Sequence, residues 1–154
     1  MKTLVAFYSR TGTTRHAGKE IARHLKADIE EITAKKDRCG IIGYIMSGKE
    51  ATLKRPAEIN PPYTNPGEYD LVVIGTPIWG WNISSPIRSY LANSFNQVAF
   101  FCTQGGSGGM RAFAEMEKLS KKPLAALELT TKEVRSEEYS HKVEEFVNSI
   151  KKIT

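Results

Sequence analysis

Thr3-Leu4-Val5-Ala6-Phe7-Tyr8 is a run of six residues with no charge and no alternating polar position. A strand with one face in water alternates apolar and polar side chains. A continuous run fits a strand covered on both faces, as in a parallel sheet. Three more runs share this character: Asp-Leu-Val-Val-Ile-Gly at 70–75, Gln-Val-Ala-Phe-Phe-Cys at 97–102, and Leu124–Leu129. Asp28–Ile32 is more polar and reads as an edge strand.

Helical stripes separate these runs. Ala17, Ile21 and Leu25 recur every four residues after Thr13-Thr14. Ile87, Tyr90 and Leu91 follow Ser84-Ser85-Pro86, where a serine before proline suits a helix start. Phe113, Met116 and Leu119 mark another helix, and Val143, Phe146, Val147 and Ile150 the last. Strands alternating with helices predict an α/β domain, with helices on both faces of a sheet of about five parallel strands. At 154 residues, 40% hydrophobic and 25% charged, one soluble domain over 1–154 is expected. The crossover at 33–69 is long; a short helix is expected near Gly40–Ser47, and Asn60-Pro61-Pro62 and Asn65-Pro66-Gly67 are turn signals.

No stretch approaches the ~18–20 apolar residues of a membrane span. The first run is too short for a signal peptide. Two cysteines, Cys39 and Cys102, exclude a disulfide framework, so a reducing, cytoplasmic compartment is expected. Net charge is +5, and residues 35–55 hold six Lys or Arg against two acids. That segment reads as a solvated connection. It carries no recognisable nucleic-acid module, so no nucleic-acid partner is expected.

In open α/β sheets a ligand sits beyond the carboxyl ends of the strands. Three loops there stand out. Ser9-Arg10-Thr11-Gly12-Thr13-Thr14 offers hydroxyls, a glycine and free amides at a helix start, which is either a phosphate cradle or a threonine-rich cap. It lacks the Gly-Lys-Ser/Thr ending of a Walker loop and the Gly-x-Gly-x-x-Gly of a dinucleotide fingerprint. Thr76-Pro77-Ile78-Trp79-Gly80-Trp81-Asn82 holds both tryptophans of the chain. It suits either a flat ligand or packing against its own sheet. Cys102-Thr103-Gln104-Gly105-Gly106-Ser107-Gly108-Gly109 has four glycines in five positions. It is either a close backbone approach to a ligand or a flexible connection.

Ser9-x-Thr11-Gly12-x-Thr14 resembles the [ST]-x-T-G-x-T phosphate loop of the flavodoxin family. Thr76–Trp79 and Thr103–Gly108 resemble its two isoalloxazine loops, and the likeness extends over the whole chain in its short form. The resemblance implies a flavodoxin-like three-layer α/β/α sandwich, strand order 2-1-3-4-5, with FMN as cofactor. It implies that Ser9, Thr11, Gly12, Thr13 and Thr14 hold the phosphate, with Arg10 exposed at the variable position. Thr76, Pro77, Ile78, Trp79, Gly80 and Asn82 are to border the ring, with Trp81 among them. Thr103, Gly105, Gly106 and Gly108 are to contact its pyrimidine side, with Gln104 in the same loop. In the family a carbonyl of the first ring loop turns toward reduced N5, which the resemblance places near Trp79–Trp81, with Gly80 as the favoured pivot.

Such a protein shuttles one or two electrons between redox partners. The third loop lacks the tyrosine that often covers the ring, which leaves a face open to a quinone or nicotinamide. An FMN-dependent NAD(P)H or quinone oxidoreductase is therefore the alternative to an electron carrier. A signalling receiver would need an acidic pair after the first strand, where Tyr8-Ser9 stands, and an aspartate where Thr76-Pro77 stands. A cysteine phosphatase would need a first-loop cysteine. His16 and His24 are expected to face solvent, Cys102 to be a packing residue, and no metal spacing occurs.

Overall fold

The computed structural model describes residues 1–35 and 57–154. Parallel strands β1 (Thr3–Phe7), β2 (Asp28–Glu31), β3 (Leu71–Trp79), β5 (Val98–Gln104) and β6 (Ala126–Thr130) lie in the order β2-β1-β3-β5-β6. Counted along the parallel strands, this is the expected 2-1-3-4-5. A two-residue strand β4 (Asn82–Ile83), absent from the sequence reading, pairs antiparallel with the end of β3. The expected helix near Gly40–Ser47, Cys39 and nearly all of the basic segment lie outside the described residues.

The continuous runs are buried on both faces because successive side chains enter different cores. Leu4, Ala6, Val72, Ile74, Val98 and Phe100 point to one face. Helices α2 (Ser85–Tyr90) and α3 (Gly109–Leu119) cover it with Ile87, Tyr90, Phe113 and Met116. Val5, Phe7, Leu71, Val73, Ala99 and Phe101 point to the other. There they meet Ala17 and Ile21 of α1 (Thr13–Leu25), Val134 of α4 (Thr131–Arg135), and Val143, Phe146, Val147 and Ile150 of α5 (Ser140–Ile153).

Gly75 and Phe101 are register partners in the central pair of strands. The Phe101 ring occupies the space that a Cβ on Gly75 would need.

Several sequence boundaries shift. The run at 70–75 continues as strand to Trp79: Thr76 and Pro77 pair with Cys102 and Thr103 of β5, and Ile78 and Trp79 with β4. The run at 97–102 continues to Gln104, pairing with Pro77 and Thr130 strand ends. Leu119 does not face the core; it is 40% exposed at the last turn of α3. The C-terminal helical region is two helices. A capping box at Thr130 and Glu133 starts α4, and Glu137, in the left-handed region, turns the chain into α5.

Candidate functional site

The three loops singled out by sequence all leave the carboxyl edge of the sheet. In the first, β1 ends under the buried Tyr8 and the chain turns so that Ser9 Oγ accepts the Gly12 N–H at 3.0 Å. Gly12 is the N-cap of α1 at φ 102°, a conformation that favours glycine. Among the described residues no side chain caps this helix, and its first turn holds no acid, so the opening amides and the positive end of the dipole are free to meet an anion. Thr11 is exposed and Thr13 half-buried. Arg10, expected to be exposed, is half-buried. Thr14 is buried, and its hydroxyl lies 2.7 Å from that of Thr103. The first and third loops are thereby joined across 89 positions of sequence. Arg15 leans away and grips Glu31 through Nε and Nη2. A cleft of about 350 Å³ opens beside the cradle, with His16 and Arg135 among the residues that line it.

The second loop is a hairpin. Trp79 pairs with Asn82 across a two-residue turn, Gly80-Trp81. Gly80 has φ 54° and Trp81 φ 59°. Positive φ at both central residues is the mark of a type I′ turn, whose twist matches the flanking strands. Glycine accepts this freely; a bulky residue such as Trp81 does so at a cost. The two tryptophans have different roles. Trp79 is 5% exposed, with its ring edge-on to Tyr8 at 5.4 Å between centroids. Trp81 is 64% exposed, and its Nε1–H donates to Ser107 Oγ at 3.2 Å. Thr76 Oγ1 is buried and accepts the Ser84 N–H at 3.0 Å, fixing the return limb of the hairpin. Asn82 is also buried: its Oδ1 accepts the Ile83 N–H at 3.0 Å and lies 3.3 Å from Arg88 Nη2. Pro77 and Ile78 are half-buried along the strand.

The third loop has two kinds of glycine. Around Gly105 and Gly106 there is open space: a Cβ on either would meet nothing within 4 Å. Gly108, at φ 110°, is packed against the hairpin; its Cβ would lie 2.9 Å from Ile78 Cγ2 and 3.1 Å from Trp81 Cα. Gln104 turns inward. Its Oε1 accepts the Gly109 N–H at 2.9 Å and its Nε2 donates to Glu128 at 3.2 Å, so it fastens the loop from below. Thr103 is held by Thr14 as described.

Of the residues read from sequence, Thr11, Gly12, Thr13, Gly80, Trp81, Gly105 and Gly106 bound an accessible edge. Thr14, Thr76, Trp79, Asn82, Thr103 and Gln104 support it from within. Ser84, Ser107, Arg88 and Glu115 were missed. Ser107 lay unremarked in the glycine run, and Arg88 reaches Glu115 across 27 positions with no local pattern.

Cys102 is buried, and burial pushes its thiol up to about 12, so it packs and does not react. His16 is exposed as expected, but His24 is largely covered, at 3.1 Å from Glu20. Among the described residues no group of His, Cys, Asp and Glu could hold a metal ion. No helix among them is long and apolar enough to cross a membrane.

A family model described as Flavodoxin matches residues 2–150. Among solved structures, a flavoprotein in complex with FMN from Lactobacillus acidophilus NCFM superposes with a TM-score of 0.70 at 18% identity, covering 90% of this chain and 98% of that one. Oxidised flavodoxin 2 from Bacillus cereus superposes at 0.64, with 16% identity over 100% of both chains. Two-electron reduced flavodoxin from Megasphaera elsdenii does so at 0.60, with 13% identity over 94% and 97%. No curated protein matches significantly in sequence.

Proposed function

Because the chain belongs to the flavodoxin family, we propose that it binds FMN at the three-loop edge and exchanges electrons with redox partners. The observation that carries this reading is the glycine-capped start of α1, with free opening amides, no side-chain cap among the described residues and no acid in its first turn. That is a place for a phosphate dianion. The residues fit the rest of the group as well. Open space over Gly105 and Gly106 leaves their backbone free to meet a flat ring, and the half-exposed hairpin supplies an aromatic side chain beside it.

FMN supplies the redox chemistry, one or two electrons at a time. Ser9, Thr11, Gly12 and Thr13 would anchor its phosphate. The Gly80–Trp81 turn would border the ring, and glycine at position 80 leaves its peptide group free to rotate. Thr14, Thr103 and Gln104 keep the two sides of the site in register.

Electron exchange with a protein partner is the primary reading. The exposed Gly105, Gly106 and Ser107 favour a second, direct reduction by NAD(P)H or transfer to a quinone, since no aromatic residue of that loop covers the ring.

The test is a titration of the purified chain with FMN, followed by stepwise anaerobic photoreduction. Saturable flavin bands and two separate one-electron steps support the carrier. Binding with one two-electron step, together with steady NAD(P)H oxidation, supports the oxidoreductase. No binding refutes both.

A further inference from the structure

We infer that Arg88 is a positioning residue for this electron exchange, acting through Asn82 on the Gly80–Trp81 turn; the inference rests on the FMN reading. Arg88 lies on α2, with its side chain only 8% exposed. Its Nη1 donates to Glu115 Oε1 of α3 at 3.0 Å, and Glu115 is 16% exposed. Its Nη2 reaches Asn82 Oδ1 at 3.3 Å, and that oxygen also accepts the Ile83 N–H. Asn82 is the residue that closes the turn opposite Trp79. The clamp therefore runs from two helices to the hairpin limb that directly follows the Gly80–Trp81 peptide.

Two features set this arrangement apart from a plain stabilising ion pair. The Glu115 carboxylate lies 3.0 Å from Arg88 Nη1, while the other Nη of the same guanidinium reaches the hairpin, so one side chain ties α3 to the turn. Arg88 Nε is buried with no hydrogen-bond partner among the described residues, a cost incurred while the two Nη groups are aimed at separate acceptors. A guanidinium fork spans two acceptors at once; a lysine ammonium does not reproduce that shape. Released from the fork, Asn82 would no longer hold the limb, and the orientation of the Gly80–Trp81 peptide would follow.

The test compares Arg88→Gln, Arg88→Lys, Asn82→Ala and the Arg88→Gln/Asn82→Ala double variant, each loaded with FMN. The ratio of the two one-electron equilibrium constants is read by anaerobic redox titration. In the flavin-free proteins, hydrogen exchange at the Ile83 amide is read by NMR. Each single variant is expected to change the ratio at least about tenfold, or ~59 mV for one electron. Arg88→Lys is expected to behave like Arg88→Gln. The double variant is expected to go no further than the larger single one, as for residues acting in series. Ile83 exchange is expected to accelerate in all four. FMN bound with an unaltered ratio, or shifts that simply add, would overturn the inference while leaving the FMN reading intact. If Arg88→Gln does not fold, Asn82→Ala decides by the same criteria. An unaltered chain that binds no FMN overturns both.

Discussion

Replacing Trp81 with glycine tests whether backbone strain in the turn contributes to the reduction potential. Trp81 sits at φ 59°, where an L-residue costs roughly 1–2 kcal/mol over its ordinary conformations. Rotating the Gly80–Trp81 peptide by a half-turn converts a type I′ turn into type II′. Only the first central residue keeps a positive φ there, and glycine already occupies it. Trp81 recovers its strain on that rotation; a glycine at 81 has none to recover. If the peptide rotates as the first electron arrives, Trp81→Gly removes about 1–2 kcal/mol of driving force from that step. At ~59 mV per tenfold, this lowers the first potential by roughly 40–90 mV. Spectroelectrochemical titration of the FMN-loaded protein measures it. Trp81→Phe is the control, since it keeps a bulky residue at the same φ while losing the indole N–H bond to Ser107. A first potential unchanged in Trp81→Gly, or lowered equally in Trp81→Phe, refutes the strain argument.

Gly80→Ala disfavours the type II′ form, which needs glycine at that place, and is expected to lower the first potential and to cost about 1 kcal/mol of stability in urea unfolding. Thr14→Val leaves the buried Thr103 hydroxyl without its partner and is expected to cost about 1–3 kcal/mol, whereas Thr14→Val/Thr103→Val costs less than the two single losses together. Calorimetry of the four proteins of that cycle settles it. The Lys142 ammonium, first, and the Thr130 N–H hold the Glu133 carboxyl below its ordinary value of 4.5. Its folded pKa is depressed, so its stabilisation is full above 4.5 and is lost as the pH falls through the lowered value. The melting temperature of Glu133→Gln should therefore lie below that of the unaltered chain at neutral pH and approach it in acid. A constant difference across that range would reject the assignment.

The sheet was legible because continuous runs such as Thr3–Tyr8 have one physical reading, burial on both faces. The placement of the three loops followed from topology alone. What remained hidden depends on tertiary pairing. Nothing local distinguishes Trp79, seated beside Tyr8, from Trp81, which stands in solvent two residues later. Residues 76–79 read as loop because Thr76 and Pro77 interrupt the apolar pattern, whereas β5 pairs with those two and β4 with Ile78 and Trp79. Thr14 looked like a cradle hydroxyl by position in the motif, and only the fold brings Thr103 against it. Gln104 carried no sign that it would serve as a brace beneath the glycines.

Gly75 has a consequence beyond packing. Strands β3 and β5 carry the second and third loops, so their relative height decides whether the two loops meet. A slip by two residues would keep every side chain on its own face, and the apolar pattern alone would not penalise it. It would, however, place Phe101 opposite Val73 or Pro77, where a side chain fills the space that Gly75 leaves vacant. The single missing Cβ thus acts as a notch that only one alignment satisfies. It sets the spacing between Trp81 and Ser107 during folding, before any ligand arrives.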